Sequence, residues 1–86
     1  MEVEFSDTAE TQLQYWKNTG NKQILIKIKK LLESIAEDPF RGIGKPEPLK
    51  HNFTGYWSRR ISGEHRLVYT VNGDKILVVQ CRFHYL

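Results

Sequence analysis

Residues 56–79 read YWSRRISGEHRLVYTVNGDKILVV, and this stretch decides the fold. Three runs rich in aromatic and β-branched residues are broken by Ser62-Gly63 and by Asn72-Gly73-Asp74. Such runs suit the half-buried surface of a strand, and Asn-Gly between them is the strongest short-range hairpin signal. They predict strands over Tyr56–Ile61, His65–Val71 and Lys75 to about Tyr85. Strict alternation in the last strand sets Leu77, Val79, Cys81, Phe83 and Tyr85 on a core face and Ile76, Val78, Gln80, Arg82 and His84 on the other. In the middle strand Arg66, Val68 and Thr70 oppose Leu67, Tyr69 and Val71, and Arg60 shares a face with Tyr56 and Ser58. Each late strand thus has one apolar face and one spotted with cations. A two-residue Asn72-Gly73 turn pairs even with odd positions, whereas a three-residue Asn72-Gly73-Asp74 loop pairs even with even. A site containing both Arg66 and His84 predicts the longer turn.

Upstream, residues 40–54 read as a loop punctuated by Gly42, Gly44, Pro46 and Pro48. It is long for so small a chain, and loops of that length often carry function. Glu47 lies between two prolines, and the one that follows biases it to extended backbone. Before the loop, Ile24, Ile28, Leu31 and Ile35 recur at helical spacing, Asn21 opens that helix and Pro39 stops it. Ser6 caps an earlier helix with Ala9, Leu13 and Trp16 on one face, and Gly20 ends it. Val3 and Phe5 alternate with Glu2 and Glu4 as a short first strand. Together these elements predict an α+β fold, two N-terminal helices packed on a small, mainly antiparallel sheet, with residues 1–86 forming one domain.

A chain of 86 residues with 40% hydrophobic content suits one compact core. Thirteen Lys and Arg against 10 Asp and Glu give a net charge of +3, a mild excess that suits a polyanionic partner and alone decides little. Its distribution says more, because Lys45, Lys50, Arg59, Arg60, Arg66 and Arg82 all lie in the second half. The lone Cys81 has no partner for an internal disulfide, which points to a reducing compartment. The acidic opening Met1-Glu2-Val3-Glu4-Phe5 does not suit a signal peptide, and no run approaches the roughly 20 apolar residues of a membrane span. A cytoplasmic protein without membrane partners is expected.

A small group of residues combines into chemistry. Cleavage of RNA by its own 2′-hydroxyl needs a base, an acid for the departing 5′-oxygen, and cations for the charge on phosphorus. Glu47 is suited to the first role and His84 to the second, since imidazole titrates at about 6.5 in water and carries a proton close to neutrality. Arg60 and Arg66 offer forked donors matched to phosphate, and Lys50 a point charge. Taken singly, each has a plainer role: Glu47 as a loop acid or partner for Lys45 or Lys50, Arg66 as a partner for Glu64, His84 as a polar residue near the terminus. Cys81 and His84 are three apart on a strand, and His51 and His65 have no ligand spacing, so neither metal nor another cofactor is expected.

The segment Gly44-Lys45-Pro46-Glu47-Pro48-Leu49-Lys50-His51-Asn52, followed by Gly55-Tyr56-Trp57-Ser58-Arg59-Arg60-Ile61, resembles the signature of YoeB-type toxins of the RelE superfamily. Glu64-His65-Arg66-Leu67-Val68-Tyr69 and Cys81-Arg82-Phe83-His84-Tyr85 continue the resemblance through the whole second half. It implies a RelE-like fold and the toxin of a type II toxin–antitoxin system, an mRNA interferase that enters the ribosomal A site and leaves a cyclic phosphate and a 5′-hydroxyl. It also implies a YefM-type antitoxin, the ribosome and mRNA as partners, and a tendency to form homodimers. By position, the family's general base falls on Glu47, its phosphate-stabilising arginine on Arg66 and its general acid on His84. Lys50 and Arg60 fall on backbone-binding positions and Tyr85 on one that stacks on or orients the substrate. Two departures stand out: Leu86 follows the Tyr at which the family usually ends, and Phe83 replaces a Tyr.

Two other classes compete. A RelE-fold protein that blocks a target without cutting, as the ParE branch blocks DNA gyrase, needs neither base nor acid. A stand-alone RNA-binding domain would want exposed aromatics on its sheet, whereas Tyr69 and Phe83 read as buried.

Overall fold

A computed structural model describes residues 1–84; Tyr85, placed above at the substrate, and Leu86 lie outside the described residues. The elements run β1 (Glu2–Phe5), α1 (Asp7–Asn18), α2 (Lys22–Glu37), β2 (Glu47–Pro48), β3 (Tyr56–Arg60), β4 (Arg66–Asn72) and β5 (Lys75–Gln80), with a 3-10 turn at His51–Phe53. The strands form one sheet in the order β1-β5-β4-β3-β2, in which β1 runs parallel to β5 and every other pair is antiparallel.

Local rules set the helix ends. The Ser6 side chain accepts from the Ala9 N–H, and the Asn21 side chain from the Ile24 N–H, each satisfying an orphan donor of a first turn. α2 stops at Glu37 because Asp38, held extended by Pro39, leaves the helical region at φ −153°. The helices cover one face of the sheet. Ala9 and Trp16 from α1 and Ile28, Leu31 and Ile35 from α2 meet Ile61, Leu67, Tyr69, Ile76, Val78 and Cys81. Each such aliphatic side chain contributes about 1.5–3 kcal/mol by leaving water.

The β4–β5 hairpin departs from expectation. Asn72 pairs with Lys75, so the loop has two residues, Gly73 and Asp74, and not three. Gly73 takes φ 61° while Asp74 stays out of that region, as a type II′ turn requires. Tyr69 then pairs with Val78, but Val68 pairs with Gln80: a bulge at Val79 supplies the one-residue shift assigned above to a longer turn. Strict alternation therefore chose the wrong face of β5. Ile76 and Val78 face the core before the bulge and Cys81 after it, all three fully buried. The strand ends at Gln80, and Phe83 is 53% exposed. The expected loop at residues 40–54 likewise contains β2 and a 3-10 turn.

Arg59 is buried in this fold, with 0% of its surface exposed. Its Nε donates to the Tyr69 hydroxyl at 3.1 Å, one terminal nitrogen to Ser34 Oγ (2.7 Å) and the Ile43 carbonyl (3.1 Å), and the other to the carbonyls of Asp38 (2.8 Å) and Arg41 (2.9 Å). All five guanidinium donors are thus used, which is what makes its burial tolerable. Arg59 is therefore no part of a cationic surface. It fastens the segment after α2 to the sheet.

Candidate active site

The face of the sheet away from the helices carries a row that crosses four strands. Glu47 on β2 lies opposite Ser58 on β3, Ser58 opposite Val68 on β4, and Val68 opposite Gln80 on β5. In the next row Arg60 lies opposite Arg66. Directly paired residues of an antiparallel ladder project to the same side, so Glu47 and both arginines share one surface.

Glu47 reaches that surface because its loop is pressed onto the core. The Arg60 N–H donates to the Gly44 carbonyl at 2.7 Å, drawing the loop alongside β3. Gly44 has φ 83°, and a Cβ there would lie 2.6 Å from Leu31 Cδ2, so the approach needs glycine. With Arg59 gripping residues 38–43 as well, the two-residue strand β2 has little freedom despite its length.

Arg66 is aimed by the β3–β4 turn: one terminal nitrogen donates to the carbonyls of Ser62 (2.7 Å) and His65 (3.1 Å). Among the described residues its other donors meet no acceptor, which leaves one edge of the fork for a ligand. The tail that bears His84 leaves the sheet after Gln80 and runs against α1. The Cys81 N–H donates to Gln12 Oε1 at 2.7 Å, the Cys81 carbonyl accepts from Trp16 Nε1 at 2.9 Å, and the Arg82 guanidinium lies 3.4 Å from the centre of the Tyr15 ring. Arg82 thus turns to the helix and does not join the cationic face that alternation assigned it.

Lys45, Glu47, Ser58, Arg60, Arg66 and His84 line one shallow concavity of about 150 Å³. Four of the six residues singled out from the sequence therefore come together. Lys50 does not: it lies in a neighbouring cleft of about 350 Å³ built by residues 47–53, which shares Glu47 with the first. Lys45 takes the place within the concavity, a functional position that its sequence context, read as a partner for Glu47, does not mark. The one signal for it in the sequence is its place two residues before Glu47.

Among the described residues the ion pair within reach joins Lys75 and Glu4 at 3.1 Å. Glu64 does not neutralise Arg66, and neither Lys45 nor Lys50 pairs with Glu47. Two cations facing each other across a ladder repel, and a bound anion between them would relieve that repulsion. The concavity thus offers a carboxylate and an imidazole beside three fixed positive charges. That set can bind a phosphodiester and move a proton on each side of it.

The chain matches the family described as "YoeB-like toxin of bacterial type II toxin-antitoxin system" over residues 5–85. It is 57% identical to Toxin YoeB of Synechocystis over 70 residues, 81% of each chain. Among solved structures, the YoeB/ParE toxin from Agrobacterium tumefaciens superposes with a TM-score of 0.94 at 42% identity, covering 99% of this chain and 100% of that one. The YoeB–YefM heterotetramer from Staphylococcus aureus superposes at 0.90 with 45% identity and 99% and 98% coverage, and the YoeB dimer from that organism does so equally.

Proposed function

The chain belongs to the YoeB-like toxins of bacterial type II toxin–antitoxin systems, and from that premise we propose that it is a ribosome-dependent mRNA interferase cutting at the A-site codon. The observation that carries the proposal is the convergence of Glu47, Arg60, Arg66 and His84 on one concavity. Glu47 accepts the proton of the 2′-hydroxyl, and the oxygen attacks the adjacent phosphorus. The bond to the 5′-oxygen breaks as His84 gives that oxygen a proton, leaving a 2′,3′-cyclic phosphate and a 5′-hydroxyl. Arg66, Arg60 and Lys45 hold the non-bridging oxygens and gain interaction energy as negative charge builds on them. Lys50, one cleft away, contacts the flanking backbone, and Tyr85 stacks on or orients the substrate.

The concavity is small, about 150 Å³, so it does little by itself to hold RNA in line for attack. The ribosome supplies that orientation, a contribution that reaches several kcal/mol in well-aligned systems. The relative from Staphylococcus aureus assembles with YefM and as a dimer. For this chain we propose a YefM-type antitoxin, whose acidic segment folds over Arg60 and Arg66 and displaces the tail at His84, and a homodimeric free toxin.

Primer extension on an mRNA translated in a reconstituted system tests the proposal, using the parent protein, Glu47→Gln and His84→Gln. New 5′ ends at the A-site codon that vanish in both variants, and in the absence of ribosomes, are expected. Arrest of translation without new ends would instead favour a blocker of the ParE kind.

A further inference from the structure

The segment that bears His84 is fixed by a residue outside the concavity. β5 ends at Gln80, so no ladder holds residues 81–84. Phe83 takes φ 67°, a left-handed conformation that a non-glycine residue keeps only when its surroundings enforce it. Its peptide groups are gripped from both sides. The Phe83 N–H donates to the ring Nδ1 of His65 at 2.8 Å. The Phe83 carbonyl accepts from the Arg66 N–H at 3.0 Å and from the Gln80 side-chain amide at 3.1 Å. His65 is itself held. Its ring meets Trp16 edge-on with centroids 4.8 Å apart, and its N–H donates to Ser62 Oγ at 3.2 Å.

We infer that His65 is a positioning residue for cleavage: by accepting the Phe83 N–H it locks the left-handed turn that presents His84 to Glu47, Arg60 and Arg66. This rests on the nuclease function proposed above. The role requires a lone pair on Nδ1, so the working ring is neutral and carries its proton on Nε2. His65 and Arg66 are adjacent in sequence, and they divide the work. One places the acid through Phe83 while the other meets the phosphate, so two successive residues at the entry to β4 set the distance from cation to acid. Loss of the acceptor frees Phe83 to relax to negative φ, which swings His84 out of the concavity.

Two substitutions separate this role from mere packing. His65→Asn keeps an acceptor, because its Oδ1 stands where Nδ1 stood. His65→Leu keeps apolar bulk against Trp16 and offers no acceptor. Cleavage by the full chain is followed under single turnover on programmed ribosomes, alongside amide NMR spectra of the free proteins. The expected result is a rate constant lowered roughly tenfold to a hundredfold in His65→Leu, with the half-saturating concentration unchanged. The Phe83 and His84 amides shift while those of β3 stay in place, and His65→Asn recovers both rate and shifts. A His65→Leu protein that cuts at the parental rate, or a His65→Asn protein as slow as His65→Leu, overturns the inference. If the parent leaves the message intact, the nuclease function falls. The spectra then decide the clamp alone, and an unmoved Phe83 amide in His65→Leu overturns it.

Discussion

Arg60 stands directly opposite Arg66 across the β3–β4 ladder. Facing like charges cost about 0.2–1 kcal/mol, and among the described residues no carboxylate stands within ion-pair distance of either, although Glu47 shares their concavity. Arg60→Gln should therefore leave the fold as stable as the parent or slightly more so, while lowering cleavage on the order of a hundredfold. Urea unfolding beside primer extension checks the pair of effects. A variant that loses stability and activity together would make Arg60 a structural residue.

Lys45 and Lys50 flank Glu47 at similar distances in sequence yet sit in different cavities. Lys45→Ala should depress the rate constant for cleavage on the order of a hundredfold, as loss of one charge-stabilising donor does. Lys50→Ala should act on binding, raising the half-saturating concentration and flattening its salt dependence. Single-turnover kinetics at two salt concentrations distinguish them, and equal effects on both constants would remove the distinction.

The parts of this fold that were legible in the sequence are those governed by near neighbours. Ser6, Asn21 and Pro39 set helix ends by contacts within four residues, and period two placed Arg60 with Ser58 and Arg66 with Val68 on one face. The bulge in β5 escaped because Leu77, Val78 and Val79 are all apolar, so no change of pattern marks the extra residue. Arg59 escaped for a related reason. Alternation puts it on the face opposite Arg60, but only the packing of α2 and residues 38–43 turns that face into an interior with five acceptors. Glu47 was legible as an extended loop acid, whereas its row with Ser58 depends on the loop folding back along β3, a contact that no local rule encodes.

Arg59 should be the most sensitive polar position in the chain. Arg59→Met leaves two hydroxyls and three carbonyls without their donor, which costs about 3–5 kcal/mol, a large share of the stability of a domain this size. Arg59→Lys should fare little better, since an ammonium has three donors and cannot span acceptors spread over residues 34–69. Thermal unfolding followed by circular dichroism should show a midpoint lowered by roughly 15 °C or more in both variants. A lysine variant within a few degrees of the parent would mean that charge alone, without the fork, holds the segment.

Cys81 supplies a prediction on the alkaline side. Its thiol is fully buried, and burial pushes its pKa up to about 12 from 9.0, with the charge of Glu10 adding to the effect. The Tyr69 hydroxyl is raised too, again mainly by burial, although the hydrogen bond and charge of Arg59 pull it back in part. A group with a raised folded pKa binds its proton more tightly in the native state. Its contribution is complete below the unfolded value and is lost as pH climbs towards the folded one. For Cys81 that window opens at about pH 9 and extends to about 12. The urea midpoint of the parent should fall as pH rises from 8.5 to 10.5, with the thiol contributing at most about 1.4 kcal/mol per pH unit. Cys81→Ala removes that titration, so its midpoint, lower at neutral pH because of the lost packing, should fall less steeply over the same range. In the same samples iodoacetamide should label Cys81 only after unfolding, since the thiolate does not form in the native protein at these pH values. Parallel pH slopes for parent and variant, or rapid labelling of the folded chain at pH 8.5, would show that the thiol is not sealed between β5 and α1.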